Sequence, residues 1–267
     1  MENRNYNLGI TLSGGGIRAF SHLGVLEALL KGGLTPEIVS GTSMGAIIGA
    51  LYAAGCNVRE IAEKAMEYHI KTKKFINSRL SSESIMKMEG LVSFLEENIS
   101  TKNIEDLQRP LIIAATNLDT ANVEYFTKGN LLEAVMASAS IPLIFHPVTI
   151  RNHRYVDGGV VENLPVKPIR NQCKYVIGVH SNPVPVGEVV IKGFTQIAER
   201  TFHLAMRANI LEDKQLCDIF IEIKGLEKFG ILDFKSMEAV YRLGYEETMK
   251  MIDTNPKIRE IISQTRI

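Results

Sequence analysis

The chain has 267 residues, 45% of them hydrophobic, with a mean hydropathy near zero, which suits one large α/β domain or two small ones. Its 30 Lys and Arg cancel its 30 Asp and Glu, so the whole-molecule field recruits neither nucleic acid nor an anionic membrane, and any lipid contact must come from a local feature. Cys56, Cys173 and Cys217 are odd in number and scattered, with no CxxC or metal-ligand spacing, which argues against a disulfide framework and against a bound metal.

The opening MENRNYNLGITL has no apolar stretch of signal length, and no later run approaches a membrane span, so the expected address is the cytoplasm. LGITLS (8–13) reads as a strand ended by three glycines. Helical spacing follows from Ile17 to Leu30, with Gly32 and Gly33 as its stop. EIVSGT is a second strand, and SMGAIIGALYAAG a buried helix stopped at Gly55. Asn57 with Glu60 predicts a capping-box variant opening the next helix. Residues 70–100 turn basic and then amphipathic without a strand signal, which predicts a helical insertion over one end of the sheet. Strands follow at 110–118 and 122–128, a small-residue helix at 130–142 halted by Pro142, and strands at HRYVDGG, 174–181 and 217–223. Helices at about 192–214 and 236–262 flank the last of these. Strands alternating with helices predict a mainly parallel sheet covered on both faces, with reactive groups at the carboxyl ends of its strands. GGG, GTS and DGG all stand at such ends.

Each of these turns has a structural reading and a chemical one. Gly14-Gly15-Gly16-Ile17-Arg18-Ala19 satisfies G-x-G-x-x-G/A between a strand and a helix. A dinucleotide site would need an acidic residue at the end of the second strand, but Glu37 stands at its start. A Walker loop fails for lack of GK[ST]. The glycines either make a plain tight turn or let backbone N–H groups converge as an oxyanion hole at a helix N-terminus. Arg18 either steadies that loop or is an ordinary solvated helix residue. GTSMG matches the nucleophile elbow G-x-S-x-G, with Gly41 and Gly45 flanking Ser43 so that neighbouring backbone can pack against a sharp strand-to-helix turn. A serine nucleophile needs a base. Only His180 and His203 lie downstream of Asp157, the order an α/β-hydrolase triad would require. His22, His69, His146 and His153 read as structural. Asp157, followed by Gly158 and Gly159, is either a common D-G-G turn or a carboxylate that accepts the serine proton directly in a desolvated site.

Taken in order, LSGGGIRAFSHLGVLEAL, GTSMGAIIGALYAAG, ATNLDTANVEYFTKG, AVMASASIPLIFHPV and YVDGGVVENLPV resemble the patatin-like phospholipases over roughly residues 8–181. The resemblance implies a three-layer α/β/α fold with a mainly parallel central sheet. It implies Ser43 as nucleophile, Asp157 as base and Gly14, Gly15 and Gly16 as the oxyanion loop, with Arg18 at the family's basic position and ASASIP packing beside the site. Ala19 departs from it, where many members carry another glycine. The substrate implied is a lipid or other acyl ester, with no metal and no organic cofactor. On this reading residues 1–267 form one catalytic domain. Lys71, Lys73 and Lys74 ahead of Phe75 and Ile76 then suit a lid or transient membrane-surface contact, although a solvated charge run explains them equally. Homo-oligomerisation is left open. A thioesterase or acyltransferase using the same dyad is one rival function. A non-catalytic lipid-binding module is another, against which the intact Ser43 and Asp157 argue.

Overall fold

In the structure, a computed structural model describing residues 5–75, 83–142, 144–183 and 193–265, the expected strands form one sheet. Strand β1 (Tyr6–Leu12) leads through a 3-10 segment, Gly16–Phe20, into helix α1 (Ser21–Lys31). Strand β2 (Ile38–Thr42) runs directly into α2 (Met44–Ala53), followed by α3 (Val58–Phe75) and α4 (Glu83–Asn98). Strands β3 (Leu111–Asn117) and β4 (Asn122–Phe126) pair as a hairpin ahead of α5 (Leu131–Ala139). A second hairpin joins β5 (Val148–Ile150) to β6 (His153–Asp157). The short α6 (Lys167–Arg170), β7 (Cys173–His180), α7 (Gly193–Leu216), β8 (Ile219–Glu222), α8 (Met237–Thr254) and α9 (Pro256–Thr265) complete the order.

The sheet order is β5-β6-β3-β2-β1-β7-β8, with β4 on β3. Strands β3, β2, β1, β7 and β8 are mutually parallel. Strands β2 and β3 are buried along their whole length, the mark of a sheet covered on both faces. Leu8, Ile10, Leu12, Ile177 and Val179 pack on one face against α1, α2 and α8, whereas Ile38, Ile112 and Val176 pack on the other with Ile169 and Ile210. The three layers are those expected.

Three local differences have physical causes. The long helix expected at 236–262 is two helices, because Pro256 has no N–H to continue the first and disfavours helical backbone at Asn255. Asn255 Oδ1 instead accepts from the amides of Lys257 and Ile258 and opens α9. Strand β5 was not expected, since its three residues carry too little pattern. In the 70–100 segment α3 runs to Phe75 and α4 starts at Glu83, while Ile76 of the basic-then-apolar run lies outside the described residues. Asn57 caps α3 as expected, its Oδ1 accepting from Arg59 and Glu60. Among the described residues no helix is long and apolar enough to cross a membrane.

Helices α1 and α8 meet so closely that a Cβ on Gly24 would run into the Tyr241 carbonyl, and one on Gly244 into the Ser21 carbonyl. Gly24→Ala therefore overpacks this contact and is expected to lower stability by about 1–3 kcal/mol, read from the urea midpoint. An unchanged midpoint would show that the helices can move apart freely.

Candidate active site

Strand β2 ends at Thr42, and Ser43 takes φ 55° and ψ −126°, a region that residues with a Cβ avoid. Three segments hold it there. Its carbonyl accepts from the amides of Ala46 (2.9 Å) and Ile47 (3.2 Å), which starts α2. Its own amide donates to Ser138 Oγ at 2.8 Å, and Ser138 Oγ in turn donates to the Ala114 carbonyl at 2.6 Å. On the third side α2 lies against β1: a Cβ on Gly45 would collide with the Leu12 carbonyl and stand 2.6 Å from that of Ser13. Gly41 faces the Gly45 carbonyl at similar range, so both flanking glycines are needed for the backbones to touch.

Asp157 reaches the same place from the other direction. Strand β6 is antiparallel to β3, so the simple expectation of three parallel strand ends is corrected for DGG. The register explains the meeting. Thr42 pairs with Ala114 and Asp157 with Ala115 along the same edge of β3, whose other edge is taken by β4, so β2 and β6 end against each other and bring Ser43 beside Asp157. The Asp157 amide donates to the Ser140 carbonyl at 2.9 Å, and its Oδ1 accepts from the Gly159 amide at 2.8 Å. The carboxyl group is only 2% exposed. Burial pushes its pKa up to about 6, while the Ser43 hydroxyl and the Gly159 amide, both hydrogen-bond donors to it, hold the value down. Gly158 packs against the Ala114 carbonyl, where a Cβ would not fit.

The glycine loop lies beside this pair. A Cβ on Gly14 would stand 3.1 Å from Ser43 Cβ. The Gly14 amide is already engaged, donating to Asn163 Oδ1 (3.0 Å) and to the Asn163 carbonyl (3.3 Å). Among the described residues the amides of Gly15 and Gly16 donate to no partner. The loop is fixed from outside. Arg18 Nε donates to the Phe229 carbonyl and Nη1 to Asn182 Oδ1, both at 2.7 Å, and the Ile17 amide donates to the Ile231 carbonyl at 2.8 Å. Arg18 thus acts as a brace between the loop and the end of β7.

His180 and His22 are engaged elsewhere. His180 Nδ1 faces Glu222 Oε1 at 3.3 Å and its ring stacks on Phe220. No hydrogen bond joins it to Ser43 or Asp157 among the described residues. His22 lies behind the loop, with Nε2 2.8 Å from the Ser13 carbonyl, and burial lowers its pKa to about 4. It is neutral, and the proton sits on Nε2 because a carbonyl only accepts. His203 falls on α7.

Two residues escaped the sequence reading. Ser138 was seen only as one of several small residues in α5, and Asn163 as part of the stretch after DGG. Their roles depend on contacts across 95 and 149 residues of chain. Ser138→Ala leaves the Ser43 amide buried without an acceptor. The expected result is a loss of about 1–3 kcal/mol of stability in urea unfolding, together with slower modification of Ser43 by a fluorophosphonate. Wild-type values for both would remove Ser138 from the elbow.

The model of the patatin-like phospholipase family matches residues 10–169, which hold every one of these groups up to Asn163. The chain is 25% identical over 273 aligned residues to the lysophospholipase NTE1 of Meyerozyma guilliermondii, covering 90% of this chain and 19% of that protein. An uncharacterised NTE family protein of Mycobacterium bovis is 30% identical over 161 residues, 60% of this chain and 44% of that one. The chain therefore spans 19% to 44% of the length of these relatives. In fold it is similar to VipD from Legionella pneumophila, with a TM-score of 0.52 at 14% identity, covering 94% of this chain and 67% of that one. With a family model matched over more than half its length, the chain belongs to the patatin-like phospholipase family.

Proposed function

We propose that this chain is a serine hydrolase of fatty-acyl esters in (lyso)phospholipids or related lipids, with Ser43 as nucleophile and Asp157 as its base. The observation that carries the reading is the strained elbow that sets Ser43 beside the buried Asp157 carboxyl group at the meeting of β2 and β6. The lysophospholipase named among the relatives supports the lipid substrate class.

The mechanism follows from the groups present. With its pKa pushed up to about 6, Asp157 is ionised at neutral pH yet a far stronger base than an exposed aspartate. It accepts the Ser43 proton as Oγ attacks the ester carbonyl. The negative charge that develops on the carbonyl oxygen is met by the Gly14–Gly16 loop, whose uncommitted amides are those of Gly15 and Gly16. Each such donor contributes about 3–4 kcal/mol to the transition state. Asp157 then passes its proton to the leaving alcohol and later takes one from the water that cleaves the acyl-serine. Every proton in the cycle travels through this one carboxyl group. The same reading takes 1–267 as one catalytic domain and the 70–100 segment as its lipid-facing cover.

Ser43→Ala is expected to abolish turnover of a lysophospholipid and of a short-chain ester, and Asp157→Asn to lower kcat by about 10²–10⁴. Since the reaction needs Asp157 deprotonated, kcat/KM of the wild type should rise with pH and level off above a midpoint near 6. Turnover surviving in Ser43→Ala would end the assignment. A dead His180→Ala beside an active Asp157→Asn would replace the dyad with a triad. Acyl transfer to an added thiol or alcohol in preference to water would make the protein a transferase on the same pair.

A further inference from the structure

Asn163 is a polar side chain of this site that the mechanism above leaves without a chemical role. It is fully buried. Its Oδ1 receives the Gly14 amide at 3.0 Å, and that contact fixes the orientation of the whole amide, because a flipped side chain would set an NH₂ group against an N–H. The Nδ2 amino group is therefore the other end, and it is buried with no hydrogen-bond partner among the described residues. The surroundings are those of the reacting centre. A Cβ on Gly14 would stand 2.7 Å from Asn163 Oδ1 and 3.1 Å from Ser43 Cβ. One on Gly159 would stand 3.1 Å from the same Oδ1 and 3.0 Å from Asp157 Oδ1. Asn163 Oδ1 thus lies among the nucleophile, the base and the glycine loop, with Nδ2 on the same amide carbon.

A buried amide donor without an acceptor is unusual in a folded protein and calls for a reason. Within this site the missing acceptor has a natural identity. We propose that Asn163 Nδ2 donates a hydrogen bond to the oxyanion formed from the substrate's acyl carbonyl, completing a hole otherwise built from the Gly15 and Gly16 amides. The inference rests on the Ser43–Asp157 reading and extends it. It gives the single side chain two tasks: its oxygen sets the glycine loop by holding the Gly14 amide, and its nitrogen meets the charge that forms when Ser43 attacks. The donor is preorganised because the Gly14 contact leaves the amide no other orientation, so no reorganisation is needed as the charge develops.

Asn163→Asp keeps an acceptor of the same shape for Gly14 and removes both donors. Measured on the pH plateau with a short-chain p-nitrophenyl ester, it should lower kcat by about 10²–10³ with KM little changed. Its affinity for a trifluoromethyl ketone, whose serine adduct carries the same oxyanion, should fall in proportion. Wild-type kcat in this variant overturns the proposal, as does a lowered kcat with undiminished ketone affinity, which would mean that Asn163 only supports the loop. If the variant does not fold, the wild-type protein carries the test as a crystal structure of its fluorophosphonate adduct. Asn163 Nδ2 should lie about 3 Å from the phosphoryl oxygen. A phosphoryl oxygen held by the glycine amides alone overturns the inference while leaving the nucleophile intact, whereas an adduct on another residue defeats the Ser43 reading itself.

Discussion

Ser43 keeps a backbone conformation, φ 55° and ψ −126°, that costs a residue with a Cβ about 1–3 kcal/mol, and three separate stretches of chain are shaped to maintain it. Strand β1 leaves room only for glycine on α2, helix α5 supplies Ser138 Oγ to the Ser43 amide, and the Ser43 carbonyl is drawn into the first turn of α2. With amide and carbonyl both engaged, the side chain is what remains free to project. The rest of the site is arranged around that projection: Gly14 lies against Ser43 Cβ, and β6 ends beside it at Asp157, whose pKa the Ser43 hydroxyl holds down.

The second constraint is register. Because β2 and β6 meet end to end along one edge of β3, with β4 on the other, the pairings Thr42–Ala114 and Ala115–Asp157 bring the two residues together without any loop having to be long or flexible. The connection after Asp157 is tied down in turn. Thr42 Oγ1 donates to the Glu162 carbonyl at 3.1 Å, and Asn163 holds Gly14, so the elbow, the aspartate turn and the glycine loop form one hydrogen-bonded unit. Burial of that unit sets its electrostatics. Removal from water raises the Asp157 pKa, and two hydrogen-bond donors limit the rise, leaving a carboxylate that is ionised at neutral pH and still basic.

Much of this was legible in the residues themselves. Unbroken apolar runs gave the buried parallel strands, and GTSMG and DGG marked sharp turns whose glycines the structure uses for close backbone contact. What stayed hidden was long-range. The direction of β6 is invisible in HRYVD, since a strand carries the same alternation whichever way it runs. His180 looked like an available base because its position at a strand end was visible, whereas its pairing with Glu222 on the neighbouring strand was not. Ser138 and Asn163 belong to types common in helices and turns, and only the fold shows which backbone amides they receive. Pro256 splits the last helix although helical spacing continues on both sides of it.

The central claim is that Ser43 is the nucleophile. Its most direct test is peptide mapping by mass spectrometry of the protein treated with a fluorophosphonate at neutral pH. The account predicts one stoichiometric adduct, located on Ser43, which forms more slowly as the pH falls below about 6 and Asp157 takes up a proton. Labelling at a different residue, or no adduct on a folded protein, would contradict it.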